Sequence, residues 1–151
     1  MGRIAAVLEV GTANAYRTAA ADALAVDLLA RTDAATLAVF GTGHQAAYEV
    51  RAVSRVRPIS TVLVVGRDKD RAGRLAAQLA AEGHDAQSIS AEEACARADV
   101  IVTAARADTP PLLEADWIRP GTHISCMGAD APGKRTPART ARPRPRLLRP
   151  P

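Results

Sequence analysis

The sequence predicts an α/β fold, a parallel sheet wound on both faces by helices. Three observations predict it. Short apolar, β-branched runs alternate with stretches of helical period from residue 36 to 128, the pattern of strands joined by crossover helices. The runs at 36–40, 61–65 and 99–105 are almost continuously apolar, as strands buried on both faces are. A G-x-G-x-x-A, Gly41 to Ala46, falls where one such run meets the next helical stretch, the setting in which that motif carries meaning.

The elements follow in order. Residues 3–10, "RIAAVLEV", read as a strand, and 14–31 as a helix with an Ala/Leu/Val face and Asn14 at its N-cap. A strand at 36–40 ends on Gly41, and a helix follows over 44–57, with Ala47, Val50, Val53 and Val56 at helical spacing and Pro58 to stop it. A strand at 61–65 leads into a helix over 68–83, which Asp68 can cap and Gly83 can close. Residues 86–90 read as a weak strand, 91–98 as a short helix capped by Ser90, and 99–105 as a further strand. Pro110-Pro111 opens a loop, a helical turn covers 113–118, and a last strand spans 122–128.

In this setting the glycine motif reads as a dinucleotide loop, which makes the fold Rossmann-like. The glycines let the backbone approach a pyrophosphate, the helix start offers unpaired N–H groups and a positive dipole end, and Ala46 lets helix and strand pack closely. An NAD site of this kind places an acid at the end of the second strand. Here that strand runs into Gly66-Arg67-Asp68, with glycine at the expected acidic position. Either Arg67 pairs with a 2′-phosphate, which leans toward NADP over NAD, or Arg67 is a solvated loop residue and Asp68 only a cap.

Charge is unevenly spread. Residues 134–151 hold seven Lys or Arg and no acid, whereas residues 1–133 hold 13 basic and 16 acidic side chains. The basic tail lacks interleaved aromatics for base stacking, which argues against nucleic acid as a partner. No apolar run is long enough to cross a membrane and no secretory leader pattern follows Met1. Cys95 and Cys126 lack metal-ligand spacing and read as reduced thiols, which points to a cytoplasmic protein with no metal site.

Several stretches together resemble the ornithine cyclodeaminase and mu-crystallin family. They are "AYRTAAADALA" (15–25), "GTGHQA" (41–46), "GRD" (66–68), "ADVIVTAA" (98–105), "WIRPGTHI" (117–124) and "GADAPGKR" (128–135). The resemblance covers residues 2 to about 135. It implies an NAD(P)-binding domain joined to a second domain that makes a homodimer. The implied chemistry is cyclisation of ornithine or lysine with loss of ammonia, reduction of cyclic imines, or interconversion of amino and keto acids. A non-catalytic protein that binds nucleotide and a small ligand, as mu-crystallin relatives do, is the alternative.

The resemblance also implies roles. Arg17 takes the position that pairs with a substrate α-carboxylate, for which a guanidinium offers two parallel hydrogen bonds. Asp130 takes that of the catalytic acid/base, and Lys134 completes its loop at the substrate. Thr18, Gly41, Thr42, Gly43, His44, Gln45, Arg67, Asp68, Thr103, Ala104 and Met127 fall on the cofactor side. His44 and His123 are not expected to be catalytic, and Trp117 is expected to pack.

The chain departs from the family in length. Residues 1–13 read as a remnant strand of an absent dimerisation and substrate domain, 14–135 as the nucleotide domain, and 136–151 as a disordered Pro/Arg-rich tail. That tail holds five of the ten prolines. Residues 135–144 can be written in codons whose one-base shift reads Glu-Leu-Pro-Pro-Glu-Leu-Leu-Ala-Arg-Ala, so a frameshifted read-through is expected there in preference to an interaction tail. The chain alone is expected not to turn over an amino acid.

Overall fold

The structure, a computed structural model, describes residues 3–105 and 113–127. Helix α1 (Gly11–Leu29) precedes the sheet. Then come β1 (Thr36–Phe40), α2 (His44–Val53), β2 (Thr61–Val65), α3 (Lys69–Ala81), β3 (Asp85–Ser88), α4 (Ala91–Arg97), β4 (Val100–Thr103), a 3₁₀ turn (Ala115–Trp117) and β5 (His123–Cys126). All four strand pairings are parallel, in the order β3-β2-β1-β4-β5. The predicted doubly wound, Rossmann-like sheet is therefore the fold.

The sheet separates two cores. On one face Leu37, Val39, Val62, Val64, Val100 and Val102 pack against Val26 of α1, Val50 and Val53 of α2, and Leu75 and Leu79 of α3. On the other, Ala38, Phe40, Leu63 and Ile101 meet Ala94 and Cys95 of α4 and Leu113. Alternate residues of each central strand thus feed opposite cores. Each fully buried Leu, Val or Phe contributes roughly 1.5–3 kcal/mol. Cys95 and Cys126 are both thiols, and burial pushes the Cys95 thiol up to about 11.

Four local expectations are corrected. Residues 3–10 form no strand: they join no ladder of the sheet, and Ile4, Val7 and Leu8 stand exposed, because an apolar run becomes a strand only where a neighbouring strand pairs with it. Helix α1 starts three residues early with Val10 as its N-cap, and the Asn14 carboxamide accepts from Arg17 instead (2.5 Å). It also stops at Leu29, short of residue 31. Helix α2 ends at Val53, four residues short of the expected limit; the chain continues in turns, with the Arg57 N–H still on the Val53 carbonyl (3.0 Å), up to Pro58, which disfavours helical backbone at the residue before it. The Arg57 side chain donates to the carbonyls of Val26, Asp27, Ala30 and Arg31 at the end of α1. The caps at Asp68 and Ser90 form as expected, accepting from the N–H of Arg71 (3.0 Å) and Glu93 (3.2 Å).

The end of the sheet away from the glycine loop, where β1 and β4 begin, is stapled by Asp99. Its carboxylate accepts from the N–H groups of Ala35 (3.0 Å) and Thr36 (3.1 Å) and from Arg31 (2.6 Å) and Arg119 (3.2 Å). Burial alone would raise its pKa, but the two N–H groups and the two guanidinium groups outweigh burial and lower it. Asp99→Ala is expected to cost about 2–3 kcal/mol, since two N–H donors and the arginines lose their acceptor. Denaturant titration at pH 7 checks this. A lowered folded pKa means that this contribution is present above the ordinary carboxylate value and fades as the pH falls through the folded value.

Candidate nucleotide site

A cleft of about 1290 Å³ opens where β1, β2, β3 and β4 end. In the strand order, β1 is the point where the chain turns from β2 and β3 on one side to β4 and β5 on the other. Open sheets of this type bind ligands at that point. The cleft is lined by Phe40–Gln45 after β1, Val65–Lys69 and Arg71 after β2, Ser88–Ala91 after β3, Ala104 and Ala105 after β4, and Trp117.

The two loop glycines have different reasons to be there. Gly41 has φ +131°, and a Cβ on it would stand 2.7 Å from the Ala104 carbonyl oxygen. The fold itself needs that glycine. Gly43 has an ordinary φ of −87°, and a Cβ there would meet no protein atom within 4 Å. The fold does not need it, and the space it leaves faces the start of α2. No side chain caps that helix; the Ala46 N–H turns back to the Gly43 carbonyl (3.1 Å), and the N–H groups at the very start of the helix face an anion. A bare helix start beside an open glycine, in a cleft of this size, fits a dinucleotide pyrophosphate.

The end of β2 lacks the ribose-binding acid. Gly66 occupies the position, and a Cβ there would come 2.5 Å from the Thr42 methyl. Arg67, Lys69 and Arg71 line this part of the cleft, and Asp68 is the one acid among the described lining residues. Its carboxylate already serves as the α3 cap.

The remaining predicted positions divide. Thr42, His44 and Gln45 line the cleft, with the His44 ring against Tyr48 (4.6 Å between centroids) and Tyr48 edge-on to Tyr16 (4.7 Å). Ala104 lines it too, while Thr103 lies just before it with a buried hydroxyl that finds no partner among the described residues. Met127 follows β5, its N–H donating to the Thr103 carbonyl (3.0 Å). Arg17 and Thr18 lie on α1 and are not among the residues that line the cleft; the exposed Arg17 guanidinium donates to Asn14. Asp130 and Lys134, together with the tail from 136, lie outside the described residues. Trp117 packs against the second core, as expected, and also lines the cleft.

Sequence reasoning missed a polar cluster beneath the site. Glu49 of α2 and Asp22 of α1 are both buried. Gln45 donates to Glu49 (2.6 Å) and to the Ala15 carbonyl (3.2 Å). Ser125 donates to Asp22. His123, on the same strand as Ser125, has its pKa lowered by burial. The available signal was a carboxylate on a helix whose other faces were already assigned, and periodicity alone reads that as solvent-facing.

Comparison with known proteins agrees with this geometry. The family model described as "Ornithine cyclodeaminase/mu-crystallin family" matches residues 1–147. The iminosuccinate reductase of Paracoccus denitrificans, solved with NAD⁺, is 33% identical with a TM-score of 0.80, over 89% of this chain and 41% of that one. The Δ¹-pyrroline-2-carboxylate reductase of Thermococcus litoralis, solved with NADH and L-proline, is 33% identical with a TM-score of 0.76, over 80% of this chain and 38% of that one. An ornithine cyclodeaminase of Agrobacterium fabrum is 34% identical over 83% of this chain and 36% of its own length. The chain thus spans about two-fifths of the length of such relatives. With the glycine loop, the strand order and the family match in agreement, the chain belongs to the ornithine cyclodeaminase/mu-crystallin family.

Proposed function

We propose that this chain is the nucleotide-binding part of an NAD(P)-dependent, ornithine cyclodeaminase-like enzyme. Its substrate is an amino acid or a cyclic imine, and its reaction is hydride transfer at the α-carbon. The observation that carries the reading is the open space over Gly43 beside the uncapped start of α2. A bound nicotinamide supplies a reversible hydride acceptor. The chain's own groups supply the rest: Arg17 holds the substrate carboxylate, Lys134 assists at the same substrate, and Asp130 moves protons at the amine and at water. Substrate turnover belongs to the whole protein, and this chain alone is inactive. A homodimer and a cytoplasmic setting go with this reading. The exposed apolar residues Leu24, Leu28, Ile4 and Leu8 support a surface that other protein covers.

Of the two nucleotides we favour NADP. Three cations line the β2 end of the cleft, and its one described carboxylate is engaged as a helix cap. Titration of the chain with NADH and NADPH tests both statements. NADPH is expected to bind more tightly, and replacing both Arg67 and Lys69 by Ala is expected to weaken NADPH by about tenfold or more while changing NADH little. Failure of both nucleotides to bind overturns the nucleotide reading. Tighter binding of NADH overturns the NADP preference alone.

A further inference from the structure

We propose that Asp22 and Glu49 form a proton-sharing carboxyl pair that holds α1 against α2 and, through Gln45, sets the position of the glycine loop, so that ionisation of the pair loosens the nucleotide cleft. The inference rests on the cleft being a nucleotide site.

The geometry carries it. Asp22 is 3% exposed and Glu49 fully buried. Each has one oxygen satisfied by a donor: Ser125 for Asp22, Gln45 for Glu49. The second oxygen of each is buried and finds no donor among the described residues, while the two carboxyls lie within hydrogen-bonding reach of each other. Two acceptors that face each other in a buried site are satisfied at once by a single proton between them. Without it, two like charges lie together away from water, an arrangement that costs heavily.

The pair sits where it can act on the site. α1 carries Arg17, α2 begins at the glycine loop, and β5 contributes Ser125. Gln45 lines the cleft and bridges from Glu49 to the Ala15 carbonyl on α1. Among the described residues, α1 contributes Asp22 itself to the surroundings of the pair and β5 contributes His123, whose imidazole feels the charges of both Asp22 and Arg57. Gln45, on the same helix as Glu49, is neutral.

The proton resides on Glu49. Burial pushes its carboxyl up to about 8; the Gln45 hydrogen bond opposes this, and the Asp22 carboxyl adds to it. A raised folded pKa sets the sign. The unfolded chain ionises Glu49 near the ordinary value of 4.5, while the folded chain keeps the proton to about 8. Stability therefore falls as the pH rises between these values and levels off above 8. The slope approaches a tenfold loss in the folding constant per pH unit. His123 runs the opposite way: stability rises as the pH passes its lowered folded value and levels off above its ordinary value of 6.5.

The test compares the full chain with Glu49→Gln, whose amide can donate to Asp22 and still accept from Gln45. Unfolding is measured in denaturant without nucleotide between pH 6.5 and 9.5. The wild type is expected to lose about tenfold per pH unit relative to Glu49→Gln up to pH about 8, and then to run parallel to it. Asp22→Asn provides a second variant: loss of the Asp22 charge and hydrogen bond is expected to move the break in the profile to lower pH, while burial keeps it above the ordinary value. Parallel profiles for the wild type and Glu49→Gln throughout would overturn the shared proton. NADH and NADPH titrations over the same range test the link to the cleft. Wild-type affinity is expected to fall as the pH passes 8, while that of Glu49→Gln holds. Equal pH dependence of affinity in the two proteins overturns the positioning role. If neither nucleotide binds at any pH, the cleft reading fails with that role, and the unfolding profiles still decide the pair.

Discussion

Gly43→Val is expected to keep the fold and lose the nucleotide, whereas Gly41→Ala is expected to lose much of the fold. At Gly43 the backbone is ordinary and an added side chain meets no protein atom. Valine there fills the space over the first turn of α2, where a pyrophosphate must approach the backbone. Affinity for NADH and NADPH should drop by about 100-fold or more, roughly 2.7 kcal/mol, with the thermal transition shifted little. At Gly41 the two effects reverse. A non-glycine residue at φ +131° is strained, at about 1–3 kcal/mol. Its Cβ also stands 2.7 Å from the Ala104 carbonyl oxygen and 2.8 Å from the carbonyl carbon, and relieving such overpacking costs about 1–3 kcal/mol more. Paired thermal unfolding and nucleotide titration of both variants check this. A Gly43→Val protein with unchanged affinity would remove the pyrophosphate from this loop.

Arg57→Ala is expected to be among the most damaging substitutions far from the cleft. Arg57 is 7% exposed. Its side chain donates to four carbonyls at and just beyond the end of α1, those of Val26 (3.1 Å), Asp27 (2.6 Å), Ala30 (3.1 Å) and Arg31 (2.9 Å); Val26 also accepts from the Ala30 N–H and Arg31 from the Ala34 N–H. The Arg57 guanidinium also pairs with the Asp27 carboxylate (2.7 Å). Alanine leaves the Asp27 and Ala30 carbonyls without a donor in a partly buried site and removes the ion pair with Asp27, at a cost of about 3–5 kcal/mol. That corresponds to a fall in Tm on the order of 10 °C. Arg57→Lys should rescue little, because an ammonium cannot reproduce the planar fork that spans several acceptors. Circular dichroism melts of the three proteins measure both statements, and a lysine variant as stable as the wild type would contradict the fork argument.

Much of this architecture could be read from residue pattern. The bounds of β1 and β2 agree with the sequence reading because both are short apolar runs closed by glycine or charge. The Asp68 and Ser90 caps were legible because a capping side chain acts three residues away. Arg57, Asp22 and Glu49 were not legible. Each is polar at a position where helical period permits solvent exposure, and each is buried only because another element lies over it. The small residues Ala15, Ala19 and Ala23 of α1 and Ala46 and Ala47 of α2 are buried, and that packing encloses the two carboxyls. Residues 3–10 failed in the opposite sense. Their apolar composition suits a strand, but a strand is made by its neighbour, and local sequence does not encode the neighbour.

The unequal thickness of the two cores has a consequence for motion. One face of the sheet is sealed by three helices, two of them of 13 and 19 residues. Among the described residues, the other is covered by the seven-residue α4 and a single 3₁₀ turn. Free energy of local opening scales with the apolar contact that opening breaks. Of the two described layers, the thin one therefore opens first. It also carries Ser90, Ala91 and Trp117 of the cleft wall. Entry of a bulky ligand can draw on a sub-global fluctuation of that layer while the three-helix face stays closed.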